Sequence, residues 1–257
     1  MNRIITTLFT LFIIQLLVVK KTYSNEGEVK DCFEKLNRAT FALNMGLDKV
    51  IFKPISKGYR KLPSPIRTGT GNALSNLSNL ITIPNNILQG DFGSAANNSA
   101  RLLINTTLGI AGIFDPANSF GFEKREKEDF GQSLGVMGVG EGCYLVLPVL
   151  GPSTVRDTVG SLIAMNGGDV WHNITVRDDE EYVKEFKESD YWVSRVTSGV
   201  DFRAKNLEAF DAMEKNSVDL YATVRSLYLQ DRKKKINNSG GKTEAMDDGD
   251  WDTLENQ

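Results

Sequence analysis

The sequence predicts an all-α protein. Apolar side chains recur at alternating steps of three and four residues in several separate segments, the spacing of an amphipathic helix. The last third of the 257-residue chain carries the longest such pattern, with charged residues on the remaining faces. A third indication is the apolar run 102–114, which suits a helix but is too short to cross a bilayer.

The first element is an export signal. Arg3 precedes an apolar run, Ile4–Val19, and Thr22-Tyr23-Ser24 then offers small residues where a signal peptidase needs them. We expect residues 1–24 to be a signal peptide that is cleaved before Asn25. An uncleaved anchor is the alternative, but the apolar run is shorter than the roughly 20 residues that span a membrane.

The charge of the exported chain argues against a nucleic-acid partner. Removing residues 1–24 removes three of the 30 basic side chains and none of the 33 acidic ones, so the net charge becomes more negative than −3. A protein that binds nucleic acid needs a basic face.

Two apolar stripes with helical spacing predict the first two helices. We expect Pro54 to end the first helix and Pro84 to end the second. The first stripe contains Phe33, Leu36, Thr40, Leu43, Leu47 and Val50, and the second contains Ala73, Leu74, Leu77, Leu80 and Ile81. A third helical pattern starts at Ser94 and runs into Leu102–Phe114. This third segment is either a buried core helix or a re-entrant one that lies within one leaflet.

The remainder divides into a glycine-dense segment, two helical patterns and a tail. Residues 130–151 predict a glycine-laced helix followed by an extended strand or a loop, and the pattern does not decide between them. A stripe of apolar residues, called the seam, then predicts a long helix. We expect Ser217 to cap a final helix that runs into Lys235. We expect residues 25–236 to form one helical domain and the acidic residues 237–257 to be disordered. The seam consists of Phe186, Val193, Val196, Val200, Leu207 and Phe210.

Two cysteines lie in a chain bound for an oxidising compartment, and the sequence leaves open whether Cys32 and Cys143 pair. Acylation of Cys32 is not expected, because the charged residues before it do not fit a lipobox.

Motifs for catalysis and cofactors are incomplete. His172 is the single histidine, without a Gly-x-Ser-x-Gly elbow, and is expected to be a surface or capping residue. One histidine and two distant cysteines do not supply a zinc site. The glycines at 138 and 140 lack the third glycine of a dinucleotide motif, and the acidic tail lacks the turn glycine of a calcium loop. We therefore expect no catalytic residue, no cofactor and no metal.

Four charged residues stand out because they are embedded among apolar segments. They are Glu141, Arg156, Asp157 and Arg203. Such charges either form satisfied structural pairs or line a polar path through an apolar body.

The order of motifs from Phe33 to Arg232 resembles the MlaA (VacJ) family. The motifs are Phe33-Glu34-x-Leu36-Asn37-Arg38, Leu88-Gln89-Gly90-Asp91, Asn105-Thr106-Thr107-Leu108-Gly109, Phe130-Gly131-Gln132-x-Leu134-Gly135, Leu147-Pro148-x-x-Gly151-Pro152-Ser153-x-x-Arg156-Asp157 and Asp219-x-Tyr221. The chain departs from the family pattern in having no lipobox, and in having Cys143 where a proline is common.

The resemblance implies an outer-membrane, periplasmic-side component of a phospholipid transport system that maintains lipid asymmetry. It implies a ring of short amphipathic helices in one leaflet, with long C-terminal helices, a periplasmic carrier (MlaC), and a trimeric porin as partners. On that model Glu141, Arg156, Asp157 and Arg203 are channel residues on the headgroup side, and residues 102–114 are membrane-embedded. The alternatives are a soluble periplasmic lipid-binding or scaffold protein, and a lipid hydrolase, which the missing nucleophile and base disfavour.

Overall fold

The computed structural model describes residues 29–177 and 186–238. The predicted signal peptide, its cleavage site and nearly all of the acidic tail lie outside these residues. Within them the chain is mainly helical, with one small antiparallel hairpin, so the all-α prediction is confirmed. No helix among the described residues is both long enough and apolar enough to cross a membrane.

The α-helices follow one another with short connections. They are α1 (Glu34–Leu47), α2 (Lys53–Arg60), α3 (Ser64–Leu88), α4 (Phe92–Thr107), α5 (Pro116–Ser119), α6 (Phe130–Val136), α7 (Val155–Ile163), α8 (Val170–His172), α9 (Glu188–Lys205), α10 (Leu207–Asn216) and α11 (Leu220–Asn238). The π-helical turns are Asp48–Phe52, Ala164–Gly168 and Asn173–Arg177, and the strands are β1 (Tyr144–Leu147) and β2 (Gly151–Thr154).

Neither proline ends its helix as predicted. The π-helical turn Asp48–Phe52 joins α1 to α2, and Pro54 then falls in the first turn of α2, where a missing N–H disturbs least. Pro84 lies inside α3, which continues to Leu88. Side chains beside it bond back to backbone carbonyls one turn earlier, as the amide of Asn85 does to Ile81 at 2.7 Å.

The apolar run 102–114 is not one helix. Helix α4 ends at Thr107, and Ile110, Ala111 and Gly112 then adopt positive φ in a tight turn. The amide of Gly112 donates to the carbonyl of Asn105 at 2.8 Å, which closes the turn. The run is therefore a helix end and a turn rather than a continuous core or re-entrant helix.

The glycine-dense segment, which the sequence left open, contains α6 and the hairpin. Strands β1 and β2 pair antiparallel, with Tyr144 opposite Thr154 and Leu147 opposite Gly151. The final helix begins after Asp219, whose carboxylate accepts from the amide of Ala222, whereas Ser217 ends α10. The prediction that Ser217 caps the final helix is therefore wrong.

An N-terminal clamp (residues 29–37) is joined by a disulfide from Cys32 to Cys143, the residue just before β1. The amide of Tyr144 donates to the carbonyl of Lys30 at 2.9 Å, and the side-chain amide of Asn37 bonds the backbone of β1 on both sides of Leu145. The disulfide settles the pairing that the sequence left open. It also occupies the Cys32 sulfur that acylation would need.

Replacing either Cys32 or Cys143 by serine should lower the free energy of unfolding by about 2–4 kcal/mol, because the bond closes a long loop in the unfolded chain. Denaturant unfolding in detergent, with and without reductant, measures this. Reductant should bring the wild type to the level of the variants and leave the variants unchanged. Equal stability of the wild type and both variants would contradict the claim that the disulfide stabilises the clamp.

Candidate functional site

Helix α4 buries its polar side and exposes its apolar side. Its buried stripe runs at helical spacing through Ser94, Asn98, Arg101 and Asn105. Leu103 is 66% exposed and Phe92, at the start of the helix, is 68% exposed. This is the reverse of the usual pattern for a surface helix, in which the apolar stripe faces the core.

Other helices are inverted in the same way. Helix α7 buries Arg156 and Asp157 and exposes an apolar stripe at steps of four and three residues, formed by Val155, Val159 and Leu162. In α1 the predicted stripe exists, but it faces away from the protein: Leu36 is exposed, whereas the polar Asn37 is buried. Helix α3 buries mainly polar side chains, namely Asn76, Thr82, Asn85 and Asn86.

Among the described residues, buried polar side chains outnumber buried apolar ones, and large apolar side chains are exposed on most helices. The buried polar groups find one another across helices. Asn98 donates to Asn86 at 2.9 Å, and Asn76 donates to Thr106 at 2.9 Å, so α3 and α4 pack through amides and hydroxyls. A buried polar group is tolerated only when it is hydrogen-bonded in this way.

The largest buried charge group, the Asp157 cluster, contains Asp157, Arg232, Tyr228, Asp129 and Arg156. Arg232 donates to Asp157 at 2.8 and 3.1 Å and to Asp129 at 2.6 and 2.9 Å. The Tyr228 hydroxyl and Arg156 Nε also donate to Asp157, at 2.6 and 3.0 Å. Arg232 of α11 thereby joins Asp157 of α7 to Asp129, the residue that caps α6.

Burial by itself would raise the pKa of Asp157. Hydrogen bonds from Arg232 and Tyr228, with the positive charges of Arg232 and Arg156, outweigh burial and hold the pKa below its usual range. Burial and the adjacent Asp157 carboxylate raise the pKa of Tyr228, so its hydroxyl keeps its proton and acts as a donor.

The structure brings three of the four predicted site residues together. Glu141 lies 3.9 Å from Arg156, which contacts Asp157. Arg203 belongs to a separate group: it donates to Asp48 at 2.8 and 3.0 Å and stacks on the ring of Phe210. All four therefore have opposite charges close by, although one terminal nitrogen each of Arg156 and Arg203 lacks a hydrogen-bond partner.

Asp129 was missed as a member of the cluster. It caps α6, with its carboxylate on the amide of Gln132 and the Gln132 side chain on its own amide. The signal was present in the sequence, because an Asp-x-x-Gln spacing before a helix indicates a capping box. No sequence pattern indicates its contact with Arg232, which lies 103 residues further along the chain.

His172 is buried and does not lie at the surface. Its ring packs edge-on against Tyr191, with the centroids 4.9 Å apart, and its Nδ1 has no hydrogen-bond partner. No group of three or more His, Cys, Asp or Glu residues in the described ranges could hold a metal ion.

Glu128 is a buried carboxyl group next to the Asn-rich face of α3. It accepts from the side-chain amide of Gln89 at 2.8 Å. Burial raises its pKa to about 7; the Gln89 bond and Lys235 act to lower it, and the nearby carboxylates Asp129 and Glu126 raise it further.

Glu128→Gln should remove a pH dependence of stability. The folded state holds the Glu128 proton more tightly than the unfolded state, so wild-type stability falls as pH rises from about 4.5 to about 7. The variant should match the wild type near pH 4 and exceed it by about 2–3 kcal/mol at pH 8. Denaturant unfolding at both pH values measures this. A wild-type advantage at pH 8 would contradict it.

The fold and this polar interior define an all-α protein whose exposed apolar faces are suited to contact with lipid. Comparison with known proteins narrows this class. Residues 29–235 match the family model described as MlaA lipoprotein, and the chain belongs to this family.

Relatives cover most of the chain. An uncharacterised protein of Rickettsia prowazekii is 34% identical over 81% of this chain and 79% of its own length. The intermembrane phospholipid transport system lipoprotein MlaA of Escherichia coli is 32% identical over 78% of this chain and 76% of its own. The protein with the same description in Haemophilus influenzae is 28% identical over 82% and 81%.

A solved structure is similar as well. It concerns the structural basis for maintenance of bacterial outer membrane lipid asymmetry, and one of its chains matches with a TM-score of 0.67 and 29% identity. The match covers 80% of this chain and 99% of that one.

Proposed function

We propose that this protein transports phospholipid in the system that maintains outer-membrane lipid asymmetry. The observation that carries the proposal is that the helices expose their apolar faces and bury their polar ones. Exposed apolar stripes are stable among acyl chains, and a polar interior gives a charged headgroup a path. Family membership and the similar phospholipid-transport relatives support it.

In this proposal the helices lie in the inner leaflet of the outer membrane as a ring, and the protein is held there by its apolar faces rather than by an acylated Cys32. It takes mislocalised phospholipid from the outer leaflet and passes it to a periplasmic carrier of the MlaC type, in association with a trimeric porin. It acts as a transporter without catalysis. Support for this last point is that the His172 ring packs against Tyr191 and that its Nδ1 has no hydrogen-bond partner, so no serine is paired with that nitrogen.

Recovery of the protein with its lipid tests the proposal. The full chain purified from membranes should carry phospholipid that organic extraction and mass spectrometry detect. Recovery from the soluble fraction without phospholipid would favour the soluble scaffold instead.

Charges placed on the apolar face should detach the protein from membranes without unfolding it. Leu103→Glu and Leu108→Glu alter side chains that are 66% and 64% exposed, so neither disturbs packing inside the protein. Each should cost about 2–3 kcal/mol in lipid. Flotation with vesicles measures membrane binding, and circular dichroism measures folding.

The matched control is Ala212→Glu, an exposed position on the charged helix α10. It should float like the wild type. If a variant that combines Leu103→Glu and Leu108→Glu floated as well as the wild type, the proposal that this apolar face lies in the membrane would be contradicted.

Glu141, Arg156, Asp157 and Arg203 are proposed to shape the polar path. Arg156→Gln should slow phospholipid transfer to the carrier roughly tenfold, the effect of about 1.4 kcal/mol. Arg156→Lys, which keeps the charge, should restore part of it. Fluorescent-lipid transfer between vesicles and carrier measures the rate.

Arg38→Gln is the control, since this exposed arginine pairs with Glu34 and Asp219 at the surface. A folded Arg156→Gln variant with full transfer would show that the cluster is only structural.

A further inference from the structure

One segment of this acidic chain is strongly basic. Residues 49–90 contain six lysine and arginine side chains and neither aspartate nor glutamate, although the whole chain has a formal net charge of −3. The four lysines among them recur every fourth residue, at 49, 53, 57 and 61, from the π-helical turn Asp48–Phe52 to the end of α2. Successive lysines are therefore about one helical turn apart.

The inward side of α2 is held by the rest of the protein. Ser56 is fully buried and donates to a backbone carbonyl of α9 at 3.3 Å. Lys53 pairs with Asp211 of α10 at 2.8 Å, and Arg60 pairs with Glu208 of the same helix. These contacts fix which side of α2 faces outward.

The outward side, which we call the α2 face, combines exposed apolar and basic residues. Ile51 and Ile55 lie one turn apart and are 45% and 51% exposed, and Leu62, just beyond the helix, is 41% exposed. Lys57 and Lys61 are exposed as well and lie one turn apart beside this apolar stripe. These five residues make up the α2 face.

The two lysines of the α2 face are not held by an ion pair. Among the residues that the structure describes, no carboxylate pairs with Lys57 or Lys61. The pKa of Asp211 is held below its usual range mainly by the hydrogen bond from Lys53, against the effect of burial, and the charges of Lys53, Arg203 and Lys57 lower it further. This one carboxylate therefore serves several cations, and both ammonium groups of the α2 face remain available.

We propose that the α2 face binds the surface of a membrane that contains anionic phospholipid, with Ile51, Ile55 and Leu62 among the acyl chains and the lysine ammonium groups on lipid phosphates. A helix with an apolar stripe and flanking lysines is suited to this boundary, and the long lysine side chains can reach headgroups from beside the stripe. The inference rests on the proposed membrane location, and it adds a preference for anionic over zwitterionic lipid.

Vesicle flotation of the full-length protein tests this preference. One set of vesicles is phosphatidylcholine, and the other contains equal parts of phosphatidylcholine and phosphatidylglycerol. A variant that combines Lys57→Gln and Lys61→Gln should bind the anionic vesicles roughly 30-fold more weakly than the wild type, because each lysine near an anionic surface contributes about 1 kcal/mol. It should bind the neutral vesicles as well as the wild type does. High salt should weaken wild-type binding to the anionic vesicles only.

Two control variants separate charge from side-chain identity and from position. Lys57→Arg with Lys61→Arg keeps both charges and should bind like the wild type. Lys35→Gln with Lys234→Gln makes the same change of charge at exposed positions on α1 and α11, and should keep the preference for anionic vesicles. Circular dichroism checks that each variant is folded.

The outcomes distinguish this inference from the proposed function. Wild-type binding of the Lys57→Gln, Lys61→Gln variant to anionic vesicles would overturn the inference and leave the membrane location intact. If that variant also lost lipid transfer to the carrier, the α2 face would be a surface that docks a protein. Wild-type protein that floats with neither set of vesicles would contradict the membrane location itself.

Discussion

The fold depends on hydrogen-bonding its buried polar side chains to one another. Helices α1, α3, α4 and α7 turn polar groups inward, so the interior cannot be held together by excluding apolar surface alone. Asp157 is the clearest case. It accepts from Arg232, Tyr228 and Arg156, and an uncompensated arginine would remain buried if it were removed, a loss of about 3–5 kcal/mol in comparable ion pairs.

The same constraint explains why so few apolar residues are buried. Tyr144 and Val146 of β1 form a small core with Tyr221 of α11, and the rings of Tyr144 and Tyr221 meet edge to face. The disulfide and Asn37 fasten the N-terminal clamp at the same place. A fold with so little apolar core gains from a covalent link, and from a lipid surround that makes its exposed apolar faces favourable.

Sequence periodicity located the helices but not their orientation. The stripe through Leu36 and Leu43 predicted α1, yet period alone cannot say whether an apolar face meets protein or lipid. Local rules about proline failed at Pro54 and Pro84, because a π-helical turn and side-chain hydrogen bonds preserved the helices. The contact of Arg156 with Asp157 follows from their adjacency in the chain. Glu141 reaches Arg156 only because the β1–β2 hairpin folds the chain back, and the sequence pattern left that segment undecided. The contribution of Arg232 was not predictable, since contacts between distant residues leave no mark in one sequence.

The central claim is that the apolar faces lie in lipid while the polar faces form the interior. Depth-dependent quenching tests it most directly: a fluorophore is attached to single cysteines, in a background that keeps the native disulfide, and the protein is reconstituted with brominated phospholipid. Labels at Leu103 and Val159 should be strongly quenched by bromine on the acyl chains, and a label at Lys215 should not. Equal weak quenching at all three positions would contradict the account.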